Sequence, residues 1–345
     1  MYDAQYQERN VPQKALITGI TGQTGSFLAQ HLVRAGYEVH GTTRSLETTP
    51  WRLAHLGIAG QVQLHPLNAM DFCEIDDIIA RKFDYIFHLA AESSVATSLK
   101  EPTKTVTANV TQTTAWLEAV KNASPDCRFF NAVTSEVLTA SNGPLGEDAP
   151  CSASNPYAVT KLASMNMAQV FRESFDLYVV NGLLFNHESE LRDARFVTGK
   201  IILNLCNLAN DTSAPAFQLG NVLAERDFSH AEDFARGIAS SLNHETSQDY
   251  VYASGTLRSV KDFFDVAACQ LCFDPNWTGE GTDMVCRDLK SGRELVTINP
   301  EFYRPIDEKG KVGNSTRAQS DLDWQPQITF AQLIERMIAF HMNKT

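Results

Sequence analysis

A doubly wound parallel α/β sheet is the fold this chain predicts, from three observations. Strand-like and helix-like segments alternate between residues 15 and 130, a glycine loop separates the first strand from the first helix, and a long amphipathic helix carrying Tyr157 and Lys161 follows. Strands alternating with helices of about ten residues need crossover connections, and right-handed crossovers put helices on both faces of a parallel sheet. The arrangement is Rossmann-type, and the less regular second half is expected to form a smaller, mixed α/β substrate-binding lobe.

The elements follow in order. ALITGI is a short apolar run ending at glycine, and SFLAQHLVRAG has helical spacing and stops at Gly36, a residue suited to the position after a helix. YEVHGTTR, VQLHPL, DYIFHLAA and RFFNAVT read as further strands, with DDIIARKF and TTAWLEAVKNA as helices between them. AVTKLASMNMAQVFRESF is a long helix and LYVVNGLLF another strand. Beyond it, residues 186 to 198 read as loops, 198 to 209 as a helix, and DYVYASG as a possible last strand. Ser259 with Asp262 three positions later resembles a capping box opening KDFFDVAACQLC. Pro275 to Pro326 reads mostly as loops, and TFAQLIERMIAFHM closes the chain as a helix. The expected division is a dinucleotide-binding domain of residues 12–185 plus 231–258 and a lobe of residues 186–230 plus 259–345.

Composition narrows the function. Of 345 residues, 43% are hydrophobic and 20% charged, ordinary values for a soluble globular chain. With 29 basic against 41 acidic residues the net charge is −12, which speaks against a broad nucleic-acid surface. No apolar run approaches the ~20 residues of a membrane span, and the N-terminus is polar, so a cytoplasmic protein is expected. The seven scattered cysteines read as reduced thiols; Cys269 and Cys272 read as two small apolar residues on a helix, and no metal is expected.

Gly19, Ile20, Thr21, Gly22, Gln23, Thr24 and Gly25 form a Gly-x-x-Gly-x-x-Gly loop between strand and helix. Such glycines let the backbone turn tightly against a pyrophosphate, whose charge is met by the free N–H groups of the helix N-terminus. After the second strand stands Arg44, where an acidic residue would bind the ribose hydroxyls of NAD; an arginine suits a 2′-phosphate, so NADP is the expected cofactor. Asn68 and Ala69 after the third strand are expected against the adenine, and Leu89, Ala90, Ala91 and Ser93 after the fourth against the cofactor.

Tyr157 and Lys161 lie four apart on one helical face. A lysine within reach of a phenol would lower its pKa toward neutrality and make a general base. Thr134 and Glu136 follow the fifth strand, and in extended geometry both point to the same side. A carboxylate there suits removal of a carbon acid proton, the chemistry of elimination.

The glycine loop, YAVTK, LFNHESELRDARFVTGKI, LGNVLAERDFSHAEDF and TINPEFYRP together resemble the GDP-mannose 4,6-dehydratases, extended short-chain dehydrogenases/reductases, over roughly residues 14 to 340. The resemblance implies that Tyr157, with Lys161, takes the C4 hydroxyl proton while hydride passes to NADP⁺, and that Thr134 bonds the C4 oxygen. Glu136 then removes the C5 proton, water leaves from C6, and hydride returns to C6, giving a 4-keto-6-deoxy sugar nucleotide. It further implies that His187, Arg192 and Lys161 hold the cofactor, and that Ser135, Asn186, Lys200, Arg226 and Arg304 meet the nucleotide sugar. Homodimers or homotetramers are implied, the latter paired through residues Arg44 to Arg52. Against the family pattern, Asn68 stands for aspartate, Lys104 for an aromatic and Glu92 for an uncharged residue; Glu190 and Asp193 replace proline and glycine, and Gly199 an arginine. Three further readings stay open: a reductase or epimerase of the same superfamily, a dehydratase acting on another nucleotide sugar, and a catalytically silent NADP-binding protein, against which the retention of Thr134, Glu136, Tyr157 and Lys161 together argues.

Overall fold

The computed structural model describes residues 12–68, 72–302 and 310–343. From β1 (Lys14–Thr18) the chain runs through α1 (Gln23–Arg34) to β2 (Glu38–Thr43), through α2 (Trp51–His55) to β3 (Val62–Pro66), and through α3 (Cys73–Ile79) to β4 (Tyr85–His88). Then α4 (Val95–Lys100), α5 (Pro102–Val106), a π-helical turn (Thr107–Thr111) and α6 (Gln112–Ala123) lead to β5 (Arg128–Thr134). A 3-10 turn (Ser135–Val137) and α7 (Pro156–Phe175) precede β6 (Val179–Leu184). β7 (Asn186–Glu188), α8 (Val197–Asn210), β8 (Phe217–Leu219), β9 (Glu225–His230), α9 (Ala231–Ser241) and β10 (Tyr250–Tyr252) follow. The remainder comprises β11 (Leu257–Ser259), α10 (Val260–Gln270), β12 (Pro275–Thr278), β13 (Val285–Asp288), β14 (Glu294–Ile298), α11 (Thr316–Leu322) and α12 (Phe330–Met342).

Seven strands in the order β10-β6-β5-β4-β1-β2-β3 make the central sheet, and every neighbouring pair is parallel. The strand order reverses between β1 and β4, which leaves a crevice at their C-terminal ends, where open α/β sheets bind ligands. One face is covered by Phe27, Leu28 and Leu32 of α1 with Phe234 and Ile238 of α9, the other by Trp116, Leu117 and Val120 of α6 with Phe171 of α7. Trp116 is fully buried, so truncating it to alanine would cost about 3–5 kcal/mol. A separate apolar cluster joins α8, α10 and α12 to the sheet β12-β13-β14-β8.

The alternating half matches expectation, including Gly36 at φ +85° beyond α1 and the Ser259–Asp262 capping box on α10. Several expectations change. Residues 186–188, read as loop, form β7, because their backbone pairs in parallel with β9. Pro275 to Pro326, read mostly as loops, holds β12, β13, β14 and α11; these strands are four or five residues long and pair across the lobe, so no long periodic run announces them. Consequently β10 is an edge strand of the main sheet and not the last strand of the chain. Cys269 lies on α10, but Cys272 is beyond it at φ +65°, and both are exposed free thiols, not packed apolar residues. Ala318, Leu322 and Trp324 pack into the core shared with α1 and α9, not into the lobe cluster. Among the described residues no helix is long and apolar enough to cross a membrane, and no cluster of three or more His, Cys, Asp or Glu could hold a metal.

Candidate active site

The glycine loop sits at the β1–β4 crevice and is shaped by close approach. Gly19 has φ +71°, and a Cβ there would lie 3.0 Å from the Ala90 backbone. A Cβ on Gly25 would lie 2.4 Å from the Gly19 carbonyl oxygen. Gly22 caps α1 without a side-chain hydrogen bond, and the first turn of α1 has no acidic residue, so its N–H groups and the helix dipole face the crevice unopposed. Ile20 is fully buried, and Gly41 makes room for it, since a Cβ at Gly41 would come within 2.5 Å of the Ile20 side chain.

Buried side chains brace this loop from behind. Thr18 Oγ1 accepts the Leu89 and Ala90 N–H groups, both at 3.1 Å, and lies 3.0 Å from His88 Nδ1. The hydroxyl's proton is therefore given to His88, whose pKa burial, helped by Lys161, lowers to about 3. Gln23 Nε2 donates to the His187 carbonyl at 2.7 Å, and Ser189 Oγ donates to Gln23 Oε1 at 2.8 Å. His187 Nδ1 lies 2.8 Å from the Phe185 carbonyl and must donate to it, which leaves Nε2 to accept from Thr24 Oγ1 at 2.8 Å. Burial lowers the His187 pKa to about 4, which agrees with that neutral tautomer.

Thr134 ends β5 and accepts the Glu136 N–H at 3.3 Å. The strand stops there and Glu136 sits in the 3-10 turn, so the extended alternation expected for 134 and 136 does not hold; the turn itself brings them together. Tyr157 opens α7, whose N-cap is Asn155, and its phenol faces Thr134, whose side chain favours the phenolate. Lys161 is buried one turn on, with Nζ donating to the Ala132 carbonyl at 2.8 Å. Burial lowers the Lys161 pKa to about 8. The expectation that Lys161 depresses the phenol is not met in the chain by itself. Burial pushes Tyr157 up to about 12 against the Thr134 side chain, the Glu136 and Glu92 carboxylates add to the rise, and Arg192 opposes it, while the ammonium is turned to the β5 backbone.

The other expected residues are spread over several elements. Ser135 is buried in the 3-10 turn and Asn186 is half-buried at the start of β7. Arg192 Nε lies 2.8 Å from Glu188 Oε2, and its guanidinium stacks 3.7 Å above Phe196. Lys200 reaches over the Phe302 ring at 4.8 Å. Arg226 is on β9, donating to the Glu225 carbonyl. Arg44 is exposed just past β2, Ala91 and Ser93 are exposed, and the Asn68 N–H bonds Glu74 at 3.1 Å. Ala69 and Arg304 lie outside the described residues.

Residues absent from the sequence argument also shape the site. Arg52 donates to the Thr21 carbonyl at 3.1 Å and to the Leu191 carbonyl at 2.9 Å, clamping the glycine loop. Asn109, in the π-helical turn, accepts the Glu92 N–H at 2.9 Å, donates to its carbonyl at 3.1 Å and also bonds Thr160. No local spacing marks either residue: Arg52 reaches its partners across 31 and 139 positions, and Asn109 across 17 and 51. Three of the departures have close local neighbours. Glu190 lies 3.0 Å from buried His230, and Gly199 abuts the Asp193 carbonyl, where a Cβ would come within 2.7 Å. Lys104 pairs with Glu101 on the surface.

Residues 16–337 match the family described as GDP-mannose 4,6 dehydratase. A human GDP-mannose 4,6 dehydratase is 34% identical over 341 residues, covering 96% of this chain and 91% of that protein. A Sordaria araneosa GDP-mannose 4,6-dehydratase is 35% identical over 331 residues, and the chain spans 95% of its own length but only 60% of that relative. Among solved structures, UDP-glucose 4-epimerase of Thermotoga maritima, with UDP-glucose, superposes with a TM-score of 0.81 at 17% identity, covering 96% of this chain and 99% of that one. UDP-glucuronic acid 4-epimerase of Bacillus cereus, in complex with UDP-glucuronic acid and NAD, gives 0.80 at 20% identity, covering 96% and 100%. Likeness at that level is likeness of fold.

Proposed function

The chain belongs to the GDP-mannose 4,6-dehydratase family, and from this we propose that it is an NADP-dependent hydro-lyase converting GDP-mannose to its 4-keto-6-deoxy product. The observation that carries the reading is the meeting of Thr134, Glu136 and Tyr157 at one sheet edge, with buried Lys161 behind them. A simple dehydrogenase needs the hydroxyl and the phenol; the added carboxylate suits elimination.

The crevice fits a dinucleotide. Side chains at Gly19 or Gly25 would collide with backbone, and the α1 N-terminus offers free N–H groups for a pyrophosphate. Arg44 supports NADP over NAD, His187 and Arg192 would hold the cofactor, and bound NADP would supply storage of the C4 hydride and its return at C6. Tyr157 removes the C4 hydroxyl proton while Thr134 bonds the same oxygen. Lys161 stands behind the phenol, and Glu136 removes the C5 proton once C4 is a ketone. Asn186, Lys200 and Arg226 meet the nucleotide sugar, Lys200 and Arg226 as cations suited to its pyrophosphate. We extend the proposal to the domain division given above, with the segment from Ala318 to Trp324 packing on the dinucleotide-binding domain, to a homodimer or homotetramer, and to a cytoplasmic site of action.

Mass spectrometry of protein incubated with catalytic NADP⁺ and a panel of GDP-, UDP-, CDP- and dTDP-sugars tests this. Loss of one water from GDP-mannose without net NADPH, abolished by Glu136→Gln, is the expected result. Intact GDP-mannose, or change only with stoichiometric cofactor turnover, overturns it.

A further inference from the structure

We propose that Lys311 is a positioning residue for Glu136, an inference that rests on the dehydratase reading. Its Nζ donates to the Glu136 carbonyl oxygen at 3.3 Å, across 175 positions of sequence. The segment bearing it is held in place at several points. The Val312 carbonyl accepts the Leu145 N–H at 2.8 Å, the Asn314 N–H donates to the Leu145 carbonyl at 2.9 Å, and the Gly313 N–H donates to Asp227 Oδ2 at 3.1 Å. Glycine is required at 313, where a Cβ would come within 2.2 Å of Ala253 Cβ. Asp227 is itself fixed, accepting from Ser254 and Gly255 as well.

Lys311 therefore presents its ammonium from an anchored backbone to the turn whose carboxylate would take the C5 proton. Glu136 has one brace inside its own turn, the 3.3 Å bond of its N–H to Thr134. Lys311 supplies a second on the carbonyl side, and together they set the direction of the Glu136 side chain. Thr134 and Tyr157, which serve oxidation at C4, are held from β5 and α7 and do not depend on it. Lys311 should thus govern elimination and leave oxidation alone.

Lys311→Met and Lys311→Arg, each as the full chain loaded with NADP⁺, test this with GDP-mannose. The expected result for Lys311→Met is a kcat about 10- to 100-fold lower with KM little changed, since a misplaced catalytic group costs rate and not binding. In a single turnover the C4 oxidation persists, so absorbance of bound NADPH builds up; Lys311→Arg restores elimination. A Lys311→Met protein that turns over like wild type overturns the proposal, as does one in which oxidation and elimination fall together or in which KM alone rises. Should Lys311→Met fold poorly, Lys311→Gln is read by the same single-turnover measurement. A wild-type protein that removes no water from GDP-mannose instead removes the dehydratase reading, and this inference with it.

Discussion

His187 Nε2 accepts a hydrogen bond from Thr24 Oγ1 at 2.8 Å, joining the segment after β6 to the first turn of α1. The contact holds the glycine loop against the crevice. His187→Ala should lower NADP affinity about 5- to 10-fold, the worth of roughly 1–1.4 kcal/mol for one lost buried hydrogen bond, measured by isothermal titration. Unchanged affinity would show that the loop holds its shape without the histidine.

Acid should weaken the fold through two histidines. Burial lowers His88 from 6.5 to about 3 and His187 from 6.5 to about 4, so the unfolded chain binds protons first. Their contribution is complete above the unfolded value and is lost as pH falls from about 6.5 toward 4 and then 3, at up to about 1.4 kcal/mol per pH unit for each histidine. Urea unfolding at a series of pH values checks this, and His187→Asn should flatten the slope.

Lys161→Met should abolish turnover without lowering stability at neutral pH. Burial lowers the ammonium from 10.5 to about 8, so charging it opposes folding below pH 8, and this penalty fades as pH rises from 8 to 10.5. Relief of about 3 kcal/mol, less about 1–2 for the lost bond to Ala132, leaves a small net gain. Thermal melts at pH 7 and pH 10 measure it; a variant much less stable at pH 7 refutes the sign.

Gly25→Ala should impair the dinucleotide crevice, because its Cβ would meet the Gly19 carbonyl oxygen at 2.4 Å. The expected loss is about 1–3 kcal/mol of stability together with NADP binding, read by a melt with and without cofactor.

Asp227→Ala should cost about 3–5 kcal/mol, because the N–H groups of Ser254, Gly255 and Gly313 lose a shared buried acceptor. Denaturant unfolding tests this, with Asp227→Asn expected to retain part of the loss.

The parallel half was readable because its central strands carry apolar runs, with β1, β4 and β5 buried along nearly their whole length, and its longer helices α1 and α6 a continuous apolar face. Gly19, Gly22, Gly25, Tyr157 and Lys161 were equally readable, since their spacing is local and the loop must lie between β1 and α1. The lobe was not. β7, β8 and β11 are three residues each, and pairings such as β8 with β14 join segments almost 80 positions apart, which no local periodicity encodes.

Local sequence, then, carried the identity of the chemistry: which hydroxyl, carboxylate, phenol and amine the chain offers, and on which elements. Tertiary packing decided their states and supports. Burial, not the neighbouring ammonium, sets the Tyr157 pKa in the chain alone, and Lys161 is turned to Ala132 because a buried amine must donate to something. Arg52, Asn109 and Lys311 reach the site from distant segments. Desolvation and long-range hydrogen bonds depend on what surrounds a group in space, and that neighbourhood exists only once the chain has folded.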